Sequence, residues 1–367
     1  MPLIKQSAFI SQSPITANIG GTFTSFPPTT AIVPAYNIQE DGVIIASGRG
    51  KWVGSLDFYG TSASGATTFS FPDVQGSYGA FLASVPSTIT SLDAPTLIYV
   101  GGNLLSAAPS NLASLATISL PKLYYVGSSL FSNYTYSALT SLDVSSLAYC
   151  GSSITLVANS LTSISFPKLR YLGGLFTVTS SSCTSIDLSS LVYTGGGFSI
   201  SAASCTTLTL PTLGTFKAFV GGNFTATISA FNQTSVDNIL AALAYLDGTN
   251  GTFLFGTGRT VSITGTSSAP SNAGSTTTAG SNFAGVTTTC TVNLTSHGYT
   301  TGDVLRVSGI TTLTNANKYA VITVVNANQF TYTITSQTAT GGGTATIVKA
   351  NASAKALVTR SVTLTTN

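Results

Sequence analysis

Three features of the chain predict its fold class: a mainly β protein wound as a solenoid, with a helical C-terminal cap and a small β-barrel inserted in that cap. A phrase of 22 to 26 residues recurs through the middle of the chain. Within each copy, apolar residues sit two apart, so they share one face of a strand. Thr is abundant and Val, Ile, Tyr and Phe are plentiful, and these residues favour strands.

The composition also narrows the function classes. Only 6% of residues are charged, against about 25% in an average globular protein. With 43% hydrophobic residues, the chain does not belong to the disordered class. The net charge is +3 and the 13 basic residues are scattered singly, so nucleic acid is not an expected partner. The opening MPLIKQSAFISQSPITANIGG lacks the continuous apolar core of a signal peptide. No apolar run reaches the roughly 18 residues of a membrane span, so no membrane insertion is expected. Cys150, Cys183, Cys205 and Cys290 have no close metal-ligand spacing, and neither metal nor cofactor is expected.

Residues 1–66 show no convincing copy of the repeat. They hold the single Trp52 and Glu40, and phrases such as GTFTSFPPTT and GVIIASGRGKWVGSLDFYG suggest irregular β structure. This N-terminal β region is expected to cap the first coil or to anchor the protein in a larger assembly.

Residues 67–272 form the solenoid and the start of its cap. Each copy is anchored at an apolar residue: Phe69, Leu92, Ile118, Leu142, Ile164, Ile186 and Leu208, at steps of 23, 26, 24, 22, 22 and 22. All seven anchors are expected to stack in one column. Two residues on, another apolar side chain follows: Phe71, Ala94, Leu120, Val144, Phe166, Leu188 or Leu210. The next position is Pro or Ser, which stops the strand and turns the chain. Two further on, Val74, Leu97, Leu123, Leu147, Leu169, Leu191 or Leu213 points inward again. Nine after the anchor come Gly101, Gly127, Gly151, Gly173 and Gly195, read as residues that permit the twist of a corner. Seven coils at about 4.8 Å each give a body of roughly 30–35 Å.

Phrases such as LTSLDVSSLAYCGSSITL and LTSISFPKLRYLGGLFTV resemble leucine-rich-repeat coils of the receptor L-domain kind, which recur in bacteriophage tail-fibre and other virion proteins. The resemblance covers about residues 67–225 and speaks to fold more than to function.

A solenoid must close its ends. QTSVDNILAALAYLDG reads as an amphipathic helix capped by Ser235 or Thr234, with Val236, Ile239, Leu240 and Leu243 on one face. FLFGTGRTVSITGTSSAPSN then returns to strand. AGSTTTAGSN reads as a flexible linker. Phage repeat proteins end in a similar helix, strand, AP turn, helix and strand, and this resemblance implies that residues 273–350 are an inserted barrel and 351–367 a short helix and strand that complete the cap. Insertion at a loop tip is tolerated because lengthening a loop costs little. HGYTTGDVLRVSGI (297–310) and NANQFTYTI (326–334) resemble a small barrel of phage tail proteins. That barrel is similar to the first catalytic-cysteine half-domain of ubiquitin-activating enzymes, which itself carries no catalytic cysteine.

Candidate chemistry is sparse. Asp93, Asp143 and Asp187 share a column one after the anchor. Alternate coils would separate Asp143 and Asp187 by roughly 9–10 Å, within the range of a glycoside-hydrolysing pair, but turn-forming Asp is the simpler reading. The single His297 sits in a turn and reads as structural. GGTATIVK and GTGRT lack the strand–loop–helix context of a phosphate loop. Cys183 and Cys205 fall in one column on adjacent coils, as a disulfide pair or as two small buried side chains.

The candidate binding face is a tyrosine column: Tyr99, Tyr125, Tyr149, Tyr171 and Tyr193, seven residues after the anchor in successive coils. Pointing outward, it would be an aromatic ladder for sugar rings or a partner protein. Val100, Val126, Cys150, Leu172 and Thr194 follow directly and compete for the inward position, and an internal or half-buried stack is the other reading.

These features favour a non-enzymatic structural protein. The resemblance implies a bacteriophage virion component, a tail-fibre, spike or other appendage subunit that rigidly presents a binding surface for host attachment. Its expected partners are other virion proteins, copies of itself, and a host-surface glycan or protein. A cellular surface adhesin or carbohydrate-binding module is the alternative. A glycan-degrading spike relying on Asp143 and Asp187 is the third.

Overall fold

The computed structural model describes residues 67–366 apart from 83–84, 86–87, 106–111, 132–133, 212–218, 229, 245–258, 266–276, 280–282, 287, 311–313, 336–338, 342–344 and 360–361, together with three strands before residue 67. They divide into two compact units: Met1–Gly222 with Ala226–Ser229, and Asn223–Thr225 with Ala230–Asn367.

The first unit is a parallel β-solenoid. Strands repeat from coil to coil and pair in register, like residue over like: Phe69 on Leu92, Leu92 on Ile118, Tyr125 on Tyr149, Phe176 on Phe198. The apolar columns read from the sequence fill the interior. Leu97, Leu123, Leu147, Leu169 and Leu191 are buried, as are Val100, Val126, Cys150 and Leu172.

One backbone turn recurs in each coil and explains the Pro-or-Ser column. Leu97, Leu123, Leu147, Leu169 and Leu191 each donate an N–H to the carbonyl three residues back, at 3.0–3.2 Å. Pro95, Pro121 and Pro167 occupy the second position of that turn, where a fixed φ is favourable and no N–H is needed. In two coils Ser145 and Ser189 stand there instead, with an N–H to satisfy. Asp143 Oδ1 accepts from the Ser145 N–H at 3.1 Å, and Asp187 Oδ1 from the Ser189 N–H at 2.9 Å.

The glycine column has a different cause from the corner twist read in the sequence. None of Gly101, Gly127, Gly151, Gly173 and Gly195 has a positive φ. A Cβ on Gly127, Gly151, Gly173 or Gly195 would instead stand well inside contact distance of the carbonyl oxygen of the glycine one coil earlier. Only glycine lets the backbones of successive coils approach so closely.

Two further expectations are corrected. The anchor strands do not form one hydrogen-bonded ladder. The ladder through Leu92, Ile118 and Leu142 ends at Ser141–Asp143, and a separate sheet of Ser163–Ser165, Ser185–Asp187 and Thr207–Thr209 carries Ile164, Ile186 and Leu208. Leu142, at the break, is only partly buried. The break coincides with the shortening of the coil from 24 to 22 residues. The tyrosine-bearing ladder runs through this point unbroken. The second correction is that the ladders begin before residue 67. Val43–Ala46 pairs in parallel with Thr68–Ser70, and Trp52–Val53 with Gly76–Ser77. Tyr36–Ile38 folds back antiparallel on Val43–Ala46, occupying an edge that would otherwise be open.

In the second unit, helix α1 (Gln233–Ala244) buries Val236, Ile239, Leu240 and Leu243, the face read from the sequence. Its cap is Asn232 rather than Ser235 or Thr234: Asn232 Oδ1 accepts the Ser235 N–H at 2.9 Å. Helix α2 (Ala352–Thr359) repeats the device, with Asn351 Oδ1 accepting the Ala354 N–H at 2.8 Å. Thr260–Thr264 and Thr363–Thr366 pair in parallel although nearly one hundred residues separate them (363 − 264 = 99).

Between those two strands lie antiparallel strands in two sheets around one core of Cys290, Val292, Leu305, Val307, Phe330, Tyr332, Ile347 and their neighbours. Pairings among the described residues group these strands into two sheets and record no closed ring. Within the stretch read as a flexible linker, Thr277–Ala279 is a strand paired with Ala345–Ile347. Asp303 ties this region to the end of the chain: its carboxylate lies 2.9 Å from Lys349 Nζ and 3.7 Å from Lys355 Nζ. Burial alone would raise its pKa, but the Lys349 ammonium and the Thr300 N–H outweigh it and hold the carboxyl below its ordinary value.

Candidate functional site

Each tyrosine of the candidate face is the first residue of a two-residue strand. The second residue, Val100, Val126, Cys150, Leu172 or Thr194, takes the inward position and is buried. The polar members of that inner column are satisfied locally. Thr194 Oγ1 donates to the Gly174 carbonyl at 3.0 Å, and Cys150 Sγ to the Ser128 carbonyl at 3.2 Å. Burial pushes the Cys150 thiol up to about 12.

The tyrosines therefore stand on the outer side of the coil wall, where they lie against it. Tyr99 is buried at 4% exposure, and Tyr125, Tyr149, Tyr171 and Tyr193 are half-buried. Their rings stack face to face: centroids are 4.6–4.8 Å apart and planes differ by 3–4° through all five. This separation is the strand spacing of the ladder, so in-register pairing alone brings aromatic rings into contact.

The geometry determines what the column can offer. Every inner ring has both faces covered by its neighbours. A sugar cannot lie flat on Tyr125, Tyr149 or Tyr171; it would meet ring edges and a row of hydroxyls. Burial, followed by the neighbouring phenols, raises the pKa of Tyr125 and Tyr149. The hydroxyls are therefore neutral hydrogen-bonding groups over the physiological range.

The sequence reading missed members of this column. By strand register, Trp52 pairs with Gly76, Gly76 with Tyr99, and Tyr193 with Phe219. A signal was present: Trp52-Val53-Gly54-Ser55 and Phe219-Val220-Gly221-Gly222 repeat the pattern of Tyr125-Val126-Gly127-Ser128 and Tyr99-Val100-Gly101-Gly102.

The other singled-out residues serve local structure. Asp143 and Asp187 each accept a turn N–H, and their strands belong to different sheets. His297 Nδ1 accepts the Tyr299 N–H at 3.0 Å, which leaves Nε2 to donate to the Asn326 carbonyl at 3.0 Å. Cys183 and Cys205 are free, and their thiols donate to the carbonyls of Ser185 at 3.1 Å and Thr207 at 3.3 Å. Among the described residues, no three His, Cys, Asp or Glu side chains gather in a metal-holding group, and no helix is long and apolar enough to cross a membrane. Comparison with protein-family models, curated proteins and solved structures finds no match to this chain.

Proposed function

We propose that the chain is a structural, non-enzymatic subunit of a bacteriophage virion, a tail-fibre, spike or similar appendage that presents a binding surface rigidly for host attachment. The observation that carries this reading is the in-register solenoid with its outer column of five stacked tyrosines. A ladder in which every coil hydrogen-bonds to the next is stiff along its axis, and it repeats surface groups at fixed intervals. Such a body suits display. The leucine-rich-repeat resemblance of residues 67–225 supports a virion setting, and contact with a host glycan or protein would run along the hydroxyl row.

The test is antibody labelling of purified particles, with mass spectrometry of their protein content. The chain is expected in stoichiometric amounts on an external appendage. Its absence from particles, with glycan-array binding by the isolated chain, would replace this reading with the cellular adhesin. Cleavage of a polysaccharide that is lost in Asp143→Asn and Asp187→Asn would replace it with the degrading spike.

A further inference from the structure

We propose that Cys183 and Cys205 form a two-thiolate site for a soft divalent metal ion that takes its ligands in line, the coordination of mercuric ion. This inference is independent of the assembly to which the chain belongs. The two residues lie on adjacent coils, each two places before a paired strand residue. Ser185 stands on Thr207, and the Thr206 N–H reaches the Thr184 carbonyl at 2.9 Å. Both cysteines are fully buried. They also share one side-chain direction, since each Sγ donates to the carbonyl oxygen two residues on, Ser185 at 3.1 Å and Thr207 at 3.3 Å. Identical side chains, turned the same way on stacked coils, repeat at the coil spacing. The tyrosine rings measure that spacing as 4.6–4.8 Å. The two sulfurs therefore stand about 4.8 Å apart.

That separation decides between two kinds of bridge. A disulfide joins Cβ atoms about 3.5–4.5 Å apart. This is closer than the coils stand, so forming one would pull the coils together. An ion held about 2.3 Å from each sulfur spans about 4.6 Å in a straight line, and the coils need not move.

The surroundings decide which ion. Among the described residues no third His, Cys, Asp or Glu joins the pair, so ions that demand four ligands, zinc among them, are poorly served. Thiolates select soft ions. No charged side chain among the described residues acts on either thiol, and Leu161 fills the same column, also buried, one coil earlier. A net charge is costly in such a place. Two thiolates with a divalent ion make a neutral group, whereas a monovalent ion would leave one negative charge. Binding breaks two S–H bonds, forms two S–metal bonds and releases two protons to water, with no change of oxidation state. Burial raises both thiols, and Cys183 raises Cys205 further. Backbone hydrogen bonds at Ser185 and Ile164 for Cys183, and at Thr207 for Cys205, act the other way and favour the thiolates.

The test uses the whole reduced chain and mercuric chloride. One equivalent is added, and free glutathione in large excess then competes for it. A lone thiol holds the ion through one bond and yields it to glutathione, whereas the pair holds it through two. About one ion per chain should remain bound, with two protons released per ion. Cys183→Ala and Cys205→Ala should each lower retention at least tenfold, while Cys150→Ala with Cys290→Ala should leave it unchanged. X-ray absorption of the loaded parent chain, freed of glutathione, should show two sulfurs at about 2.3 Å and no third. That readout needs no variant, so it stands even if a substitution disturbs folding. Loss of the ion to glutathione, full retention by either single variant, a shell of three or four sulfurs, or equal retention of zinc overturns the proposal.

Discussion

Two stretches of the solenoid fill one interior by different means. Between Phe69 and Leu142 the coils step by 23, 26 and 24 residues; from Leu142 onward they step by 22. In the first stretch, the third face of the coil holds single bridges among the described residues, Phe81 to Leu104 to Leu130 to Ile154. In the second it carries full strands, Ile154–Val157, Leu175–Ser180 and Gly197–Ala202. The first stretch places apolar residues in adjacent pairs, Phe81 with Leu82, Leu104 with Leu105, and Leu130 with Phe131, all fully buried. Neighbours in an extended strand point to opposite sides. Both can face inward only if the backbone turns over between them, and Leu82, Leu105 and Phe131 do so, at φ of 55°, 49° and 61°. A left-handed residue other than glycine costs about 1–2 kcal/mol, and burying a Leu or Phe contributes about 1.5–3 kcal/mol, so burial wins. The second stretch has Thr155, Thr177 and Ser199 at the matching position, half-buried between inward apolar neighbours. There the chain extends without strain.

The largest expected effect is the one the two stretches share. Gly127→Ala and Gly173→Ala should each cost roughly 3 kcal/mol or more, because the methyl meets backbone that cannot move without opening the ladder. Chemical denaturation of each variant checks this. A neutral result in either stretch would mean that the coils do not approach as described.

A second pair of substitutions separates the stretches. Leu105 and Leu156 are both fully buried, so truncating either to Ala should cost about 2–5 kcal/mol. The order of Ala and Gly should then reverse between them. Leu105→Gly relieves the left-handed strain and should be roughly 0.5–1 kcal/mol more stable than Leu105→Ala. Leu156→Gly sits in an unstrained strand and should be less stable than Leu156→Ala by about 0.5–1 kcal/mol. The same order at both sites would remove the distinction drawn here.

These differences mark how far the sequence is legible. The solenoid, the apolar columns, the face of α1 and the tyrosine column all follow from spacing, because strand pairing in register turns a sequence column into a spatial one. Backbone φ leaves no such trace, so the pairs at Phe81, Leu104 and Leu130 read only as apolar. The glycine column was visible, but its cause was not: close approach of coils and a twisted corner both call for Gly. The break between Leu142 and Ile164 lies in hydrogen bonding rather than in residue type, since Leu and Ile fill the anchor position equally well. The tyrosines' direction stayed open because in a Tyr-Val pair either side chain suits the interior.

A smaller effect tests whether residue type alone selects the coil form. Thr177→Leu places an apolar side chain where the first stretch has Leu105. If an apolar residue at that position were sufficient, the strand would break and stability would fall. Phe176 and Val178 already occupy the interior, so the added Leu should stay on the outer side and change stability by no more than about 0.5 kcal/mol. Hydrogen exchange across Leu175–Ser180 should remain as slow as in the parent. Loss of that protection would show that one side chain can convert the second form into the first.

At neutral pH Tyr125→Phe, which keeps the ring in the stack and removes only a hydroxyl, should cost about 0.5–1 kcal/mol. Its consequence appears in alkali. Burial and the neighbouring phenols raise the Tyr125 pKa in the folded chain. A group whose folded pKa exceeds its unfolded value leaves stability intact below the unfolded value, here about 10, and withdraws it as pH climbs toward the folded one. The coils around Tyr99, Tyr125 and Tyr149, all raised in this way, should therefore loosen above about pH 10. Tyr125→Phe should reduce that loss, so variant and parent converge or cross as pH rises. Denaturation midpoints between neutral pH and pH 11 decide it. Parallel curves would place the Tyr125 hydroxyl in water, and the column would then be an exposed ladder rather than a half-buried stack.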